Sequence, residues 1–241
     1  MIIGKIKQII RDSRSRQNLL INLSKEIEWA HIYHDTIRGR KWLEDLAICP
    51  GRMAGNYSFF YILTKVLGDF KPQRIIEFGL GESSKVISAF IENEIQKSTH
   101  LIIEQSTDWI LNFNSRFALC SNSNVLNFET DVEEIKGYPV NVYRSIKDKI
   151  VDVFDFYVID GPIGSDRYSR YDICSLAESL KSSDEFIILI DDYDRLGEQD
   201  TVRDLLEILT KRGIKTNATV YEGNKAQIVI ATSKYRFITS I

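Results

Sequence analysis

The chain has 241 residues, 44% of them hydrophobic, and a formal net charge of −3. That length suits a single α/β core, and the near-neutral balance excludes the broad basic field by which proteins bind nucleic acid, so the partner is expected to be a small molecule. Three cysteines, Cys49, Cys120 and Cys174, lie far apart with no Cys or His at ligand spacing, which excludes a disulfide framework and a zinc site and fits a reducing cytoplasm.

No apolar run reaches the ~18 residues of a membrane span, and the N-terminus lacks the apolar core and small-residue cleavage site of a signal peptide. Residues 1–47 contain no proline and only Gly4 and Gly39, and Ile2, Ile3, Ile6, Ile9 and Ile10 recur at helical spacing. A helical extension over residues 1–56 is therefore predicted ahead of a catalytic domain over 57–241. Opposite the isoleucines stand Lys5, Lys7, Arg11, Arg14 and Arg16. Such a helix packs on the domain or on a second copy, giving a homodimer, or makes a weak peripheral membrane contact. His31 and His34 read as helix-face residues, and His100 forms no triad with a serine or cysteine.

After the Pro50-Gly51 break a helix is predicted over 57–67. Short β-branched runs then alternate with amphipathic segments. Strands are predicted at 74–78, 101–104, 125–128, 154–160, 186–191, 216–221 and 227–232, with helices at 83–94, 107–119, 166–181 and 198–211. The turn Glu222-Gly223-Asn224-Lys225 is a hairpin signal, so the last strand is expected to run antiparallel. The fold class is α/β: a Rossmann-like seven-stranded sheet, mostly parallel, with helices on both faces.

Ligands of open α/β sheets bind beyond the carboxyl ends of the strands, and here those ends are acidic. The first reads Glu77-Phe78-Gly79-Leu80-Gly81-Glu82-Ser83-Ser84. Its two glycines allow a sharp turn and close approach to a ligand, and Ser83 or Ser84 can cap the next helix. Glu82 would repel a diphosphate and suits a ligand with a positive centre. Glu104 ends the second strand about 25 positions after Gly79, where a carboxylate can accept both hydroxyls of a ribose. Trp109 and Thr130-Asp131 are candidate neighbours of an adenine ring.

Asp160 ends the fourth strand and Asp191-Asp192 the fifth. Three carboxylates brought together repel unless shared protons or a cation compensate, so a hard divalent ion such as Mg2+ is expected. Such an ion would also lower the pKa of a bound hydroxyl. Two other uses stand beside it: Asp160 as turn former and Asp192 as helix cap, or Asp160 as a general base without metal. Arg167, Tyr168, Arg170 and Tyr171 crowd the stretch where an acceptor would enter, and guanidinium groups suit an anionic one. Arg52, Asn56 and Tyr57 are expected to close over the cofactor.

Glycines, ribose acid and seven strands with a terminal hairpin together resemble class I S-adenosylmethionine-dependent methyltransferases, over residues 57–232. The resemblance implies S-adenosyl-L-methionine as cofactor, with Gly79 and Gly81 along its methionine portion, Glu77 ordering the loop and Glu104 on the ribose. The acids are similar to the metal-dependent catechol O-methyltransferase type, with two departures: the second pair is Asp-Asp, and Ile163 stands where that type has a lysine base. TIRGRKWL, CPGRMAGNYSFFYIL, EFGLGESSK, YSRYDI and IDDYDRLGEQDTV further resemble methyltransferase-like proteins found among bacterial surface-polysaccharide genes. That implies O-methylation of a sugar hydroxyl. A dinucleotide-dependent oxidoreductase and a catalytically silent scaffold in glycan assembly remain the alternatives.

Overall fold

The computed structural model describes residues 2–51 and 54–241. The β-branched runs fold as strands β1 (Arg74–Phe78), β2 (Thr99–Glu104) and β3 (Ser123–Asn127). An acidic stretch then makes a separate two-stranded ribbon of β4 (Thr130–Ile135) and β5 (Tyr138–Tyr143). The main sheet resumes with β6 (Phe156–Ile159), β7 (Ile187–Ile190), β8 (Thr216–Glu222) and β9 (Ala226–Thr232). Its order is β3-β2-β1-β6-β7-β9-β8, with β9 antiparallel to both neighbours. The chain leaves β1 toward β2 and β3 and returns on the other side at β6. The crevice between the carboxyl ends of β1 and β6 is thus the topological switch point.

Helices cover both faces of this sheet. α1 (Ile2–Ile37), α2 (Lys41–Glu44), α3 (Tyr57–Lys65) and α4 (Glu82–Asn93) precede α5 (Thr107–Asn114), α6 (Ile146–Lys149), α7 (Asp172–Ala177) and α8 (Leu196–Lys211). One apolar layer joins Tyr33, Phe59, Phe60 and Phe90 to Ile75 and Val229, and another joins Ile173, Leu205 and Leu209 to Ile76, Ile188 and Ile230. Alternate residues of the same strands thereby feed opposite layers. β6 and β7, covered on both faces, are buried at every position, which is why they read as continuous apolar runs.

Three segments differ from the sequence reading. The helix expected over 166–181 shrinks to α7, because Tyr168 and Arg170 adopt left-handed backbone with φ of 51° and 59°. α5 stops at Asn114, where Ser115 and Arg116 both donate to the Asn112 carbonyl. The β4–β5 ribbon lies outside the predicted strands; its Pro139 and three acids disfavour strand. Its signal is Lys136-Gly137, both at positive φ (51° and 85°), as a two-residue hairpin turn of the primed kind requires.

α1 is 36 residues long, and among the described residues its last half is the part that meets the domain. Trp29 and Tyr33 stack on Tyr61 and Tyr57, while Trp29 Nε1 donates to the Glu222 carbonyl. Glu26 accepts from the backbone N–H of Tyr57 and Asn224 and from Asn56 Nδ2 at 2.7–2.9 Å. Leu20, Leu23 and Ile27, on another side of the helix, are exposed. No described helix is long and apolar enough to cross a membrane.

Candidate active site

The loop after β1 is built around Glu77. Its carboxylate is fully buried, with Oε2 accepting the Ser84 hydroxyl at 2.7 Å and lying 3.0 Å from His100 Nε2. Ser84 Oγ in turn accepts the Gly81 N–H at 3.0 Å, so Ser84, rather than Ser83, ties the first turn of α4 to β1. Glu77 is thus linked to the loop through Ser84, while His100 of β2, which the sequence reading leaves without a role, lies against the same carboxylate oxygen. The other Glu77 oxygen, Oε1, has no hydrogen-bond partner among the described residues.

The two glycines differ in kind. Gly79 has φ +98°, and a Cβ there would lie 3.3 Å from the Asp160 carbonyl oxygen. Gly161 faces it: a Cβ on Gly161 would lie 3.0 Å from Gly79 N and 2.6 Å from the Tyr143 hydroxyl. The two loops at the switch point thus touch backbone to backbone, and the fold itself demands both glycines. Gly81 is in extended backbone, φ −166°, and a Cβ on it would meet nothing within 4 Å. Nothing among the described residues requires glycine there, and the open space at Gly81 is the kind a bound ligand fills.

Glu104 closes the same loop from β2. Its oxygens accept the N–H groups of Leu80 (3.0 Å) and Ser106 (2.8 Å), and each keeps a free lone pair. Trp109, about half-exposed, donates its indole N–H to the Leu80 carbonyl at 2.6 Å and so does lie against the glycine loop. Asp131 is instead committed to Arg144, both oxygens held at 2.7–2.8 Å, which keeps its carboxyl below the usual range. Glu82 accepts the Cys49 N–H and pairs with Lys85 at 2.7 Å, so it does not stand in the loop as a bare charge. Ser83 is buried behind it.

The strand-end acids converge as expected: Asp160, Asp191 and Asp192 each present an oxygen within 4.8 Å of the others. The chain's own cations stand among them. Arg170 Nη2 lies 2.9 Å from Asp160 Oδ1 and 2.6 Å from Asp192 Oδ2, its Nη1 donates to the Asp191 carbonyl, and Glu198 approaches its Nε at 3.6 Å. Lys225 Nζ lies 3.1 Å from Asp192 Oδ1 and 3.4 Å from Asp191 Oδ2. Gln227 Nε2 donates to Asp191 Oδ1 at 2.8 Å, and Arg195 Nη1 is 3.0 Å from Asp192. Asp191 and Asp192 are buried, whereas the Asp160 side chain keeps 22% exposure and alone can meet a ligand.

These contacts set the protonation. Burial pushes Asp160 up to about 7, with Asp191 and Asp192 adding to it and Arg170 and Lys225 opposing. Asp191 is raised for the same reasons. Burial also weighs on Asp192, but Arg170, Lys225 and Arg195 outweigh it and hold that carboxyl below its ordinary value. A divalent ion does not fit this arrangement as it stands: to reach the three carboxylates it would displace Arg170 or Lys225.

The sequence reading takes Lys225 only as part of a hairpin turn and Gln227 only as the start of a strand, and neither as a site residue. Antiparallel β9 pairs Ile228 with Ile190, which brings the start of β9 to the carboxyl end of β7. The hairpin signal held that information only once β9 was placed beside β7. The crowd after Asp160 is also paired internally. Arg167 is held by Asp200 and stacks on Tyr138, Tyr171 donates to Asp204, and Arg170 is buried. Neither guanidinium is free for an anionic acceptor. Asn56 caps α3 and joins Gln227 at 2.8 Å, Tyr57 packs on Tyr33, and Arg52 lies outside the described residues. A cleft of about 490 Å³ beside Tyr33, Ile48 and Tyr57 is bordered by none of the strand-end acids.

No family model matches the sequence, and no curated protein matches it. Solved structures do resemble its fold. The O-methyltransferase TomG from Streptomyces achromogenes, involved in tomaymycin synthesis and in complex with SAM, is 13% identical over 83% of this chain and 89% of its own, with a TM-score of 0.49. An O-methyltransferase from Bacillus cereus in complex with SAH is 13% identical over 84% and 91%, with a TM-score of 0.47. The SAH-bound methyltransferase PaMTH1 of Podospora anserina is 10% identical over 85% and 87%, with a TM-score of 0.46.

Proposed function

We propose that the chain is an S-adenosylmethionine-dependent O-methyltransferase. The observation that carries this is the meeting, at one switch point, of a glycine loop with open space at Gly81, a carboxylate at the end of β2 and a single accessible acid, Asp160. Antiparallel β9, inserted between β7 and β8, also separates this sheet from the all-parallel dinucleotide-binding order. Since Lys85 and Cys49 hold Glu82, that residue discriminates against a diphosphate less than its charge suggests.

When bound, S-adenosylmethionine supplies an electrophilic methyl group. Glu104 and Trp109 flank the loop that would hold it, and Glu77 keeps that loop in shape. Asp160 takes the proton from the acceptor hydroxyl; a carboxyl near 7 suits a general base at neutral pH. Arg170 pairs with Asp160 Oδ1 at 2.9 Å, and the part of the Asp160 side chain that stays exposed is what meets the acceptor. For the acceptor we propose a sugar hydroxyl of a surface glycan or its precursor, on the sequence resemblance alone; Arg195, half-exposed beside Asp192, is the cation best placed to meet an acidic sugar.

Isothermal titration with S-adenosylhomocysteine is expected to give saturable binding. Binding of a nicotinamide dinucleotide in its place would overturn the reading, and silence toward both would favour the scaffold.

A further inference from the structure

We propose that Arg170 and Lys225 take the place of a divalent cation at the acidic strand ends, so that this site neither binds nor needs one. Carboxylates at the ends of β6 and β7 require positive charge between them. In this chain two side chains supply it from different elements: Arg170, buried, from the turn before α7, and Lys225, partly buried, from the turn between β8 and β9.

The geometry leaves little for a metal to take. A hard divalent ion gathers oxygens at about 2.0–2.6 Å and wants their lone pairs unengaged. Both Asp192 oxygens and Asp160 Oδ1 already lie 2.6–3.1 Å from the nitrogens of Arg170 or Lys225. Asp191 has Gln227 on Oδ1 at 2.8 Å and Lys225 near Oδ2 at 3.4 Å. Asp192 Oδ1 faces the Lys225 ammonium at 3.1 Å without a hydrogen bond, and a divalent ion would reach that oxygen only by displacing the ammonium. An ion among them would also stand within a few ångströms of two side-chain cations of like sign.

The cations are held in place from outside the cluster, as a permanent fixture requires. Arg170 and Asp192 both sit in left-handed backbone, φ 59° and 57°, which non-glycine residues keep only where their surroundings over-determine them. Lys225 also donates to the Ala54 carbonyl at 3.1 Å, and its turn is anchored where Glu26 of α1 accepts the Asn224 N–H. The N-terminal helix therefore helps aim Lys225 at the acids. Unlike a metal, these charges cannot be chelated away.

The test is a titration of the full chain with Mg2+, Mn2+ and Ca2+, read by calorimetry and by thermal unfolding. The wild type is expected to show no saturable binding tighter than about 1 mM and no change of Tm between EDTA and added ion. Lys225→Gln, which uncovers Asp191 and Asp192, is expected to gain at least tenfold in divalent affinity and to show a Tm that rises with added ion. Lys225→Arg should behave as wild type. Saturable Mn2+ binding by the wild type that is lost in Asp191→Asn would overturn the proposal. So would a Lys225→Gln variant with neither gain, and if that variant failed to fold in EDTA, added Mn2+ would have to restore its folding instead. Titration of the same preparation with S-adenosylhomocysteine tests the methyl-transfer reading separately, because its failure leaves the metal result standing.

Discussion

Asp160 is the residue on which chemistry and stability meet. Its carboxyl is pushed up to about 7 in the folded chain, chiefly by burial, against an ordinary value of 3.8. Between those two values the folded state binds more protons than the unfolded one, so this group's contribution to stability falls as pH rises from about 4 to 7. Asp160→Asn is therefore expected to be more stable than the wild type at pH 8, by about 1–2 kcal/mol, with the difference vanishing near pH 4.5 in thermal melts. The same substitution should lower methyl transfer by about 10²–10⁴-fold, and wild-type kcat/KM should rise through pH 7 as the base loses its proton. A flat pH profile would remove Asp160 from that role.

At the scale of elements, the loop after β1 separates two reasons for a glycine. Gly79→Ala meets both positive φ and the Asp160 carbonyl, so it should cost about 1–2 kcal/mol of stability whether or not a ligand is present. Gly81→Ala meets no atom of the described residues, so its Tm should stay at the wild-type value while affinity for S-adenosylhomocysteine falls by about tenfold or more. Equal affinity in both proteins would mean that the ligand lies elsewhere. β9 offers a second test. Gln227 is fully buried and joins Ser58, Asn56 and Asp191, so Gln227→Ala should cost about 2–3 kcal/mol by stranding three polar partners, measured by denaturant unfolding.

For the molecule as a whole, α1 is two things joined end to end. Its first half makes no hydrogen bond or ion pair to the domain among the described residues, so deleting residues 1–20 should leave Tm within about 2 °C and S-adenosylhomocysteine binding unchanged. Its second half stitches the start of α3 to the turn carrying Lys225, and Trp29→Ala should cost about 3 kcal/mol. Residue 56, read as the boundary, is the N-cap of α3, and Glu26 of α1 bonds on both sides of it, to Asn56 and Tyr57.

Much of this was legible in the chain alone. Period and composition yield the seven strands of the main sheet, because continuous β-branched runs suit strands buried on both faces, and the short turn at 222–225 sets the direction of β9. The glycines and the acids at strand ends follow from the same reading, since the end of a parallel strand is where a side chain can face a ligand. What stayed hidden depends on which distant segments meet. Period places Arg170 on a helix face, yet its pairing with Asp160 and Asp192 outweighs helical propensity and turns it inward. Lys225 reads as a polar turn residue until the insertion of β9 beside β7 carries it to the acids. Local sequence determined the elements and the sign of charge at their ends. Only the tertiary structure decided what balances that charge, because a buried carboxylate takes whichever cation the fold delivers to it, and that delivery is set by strand order.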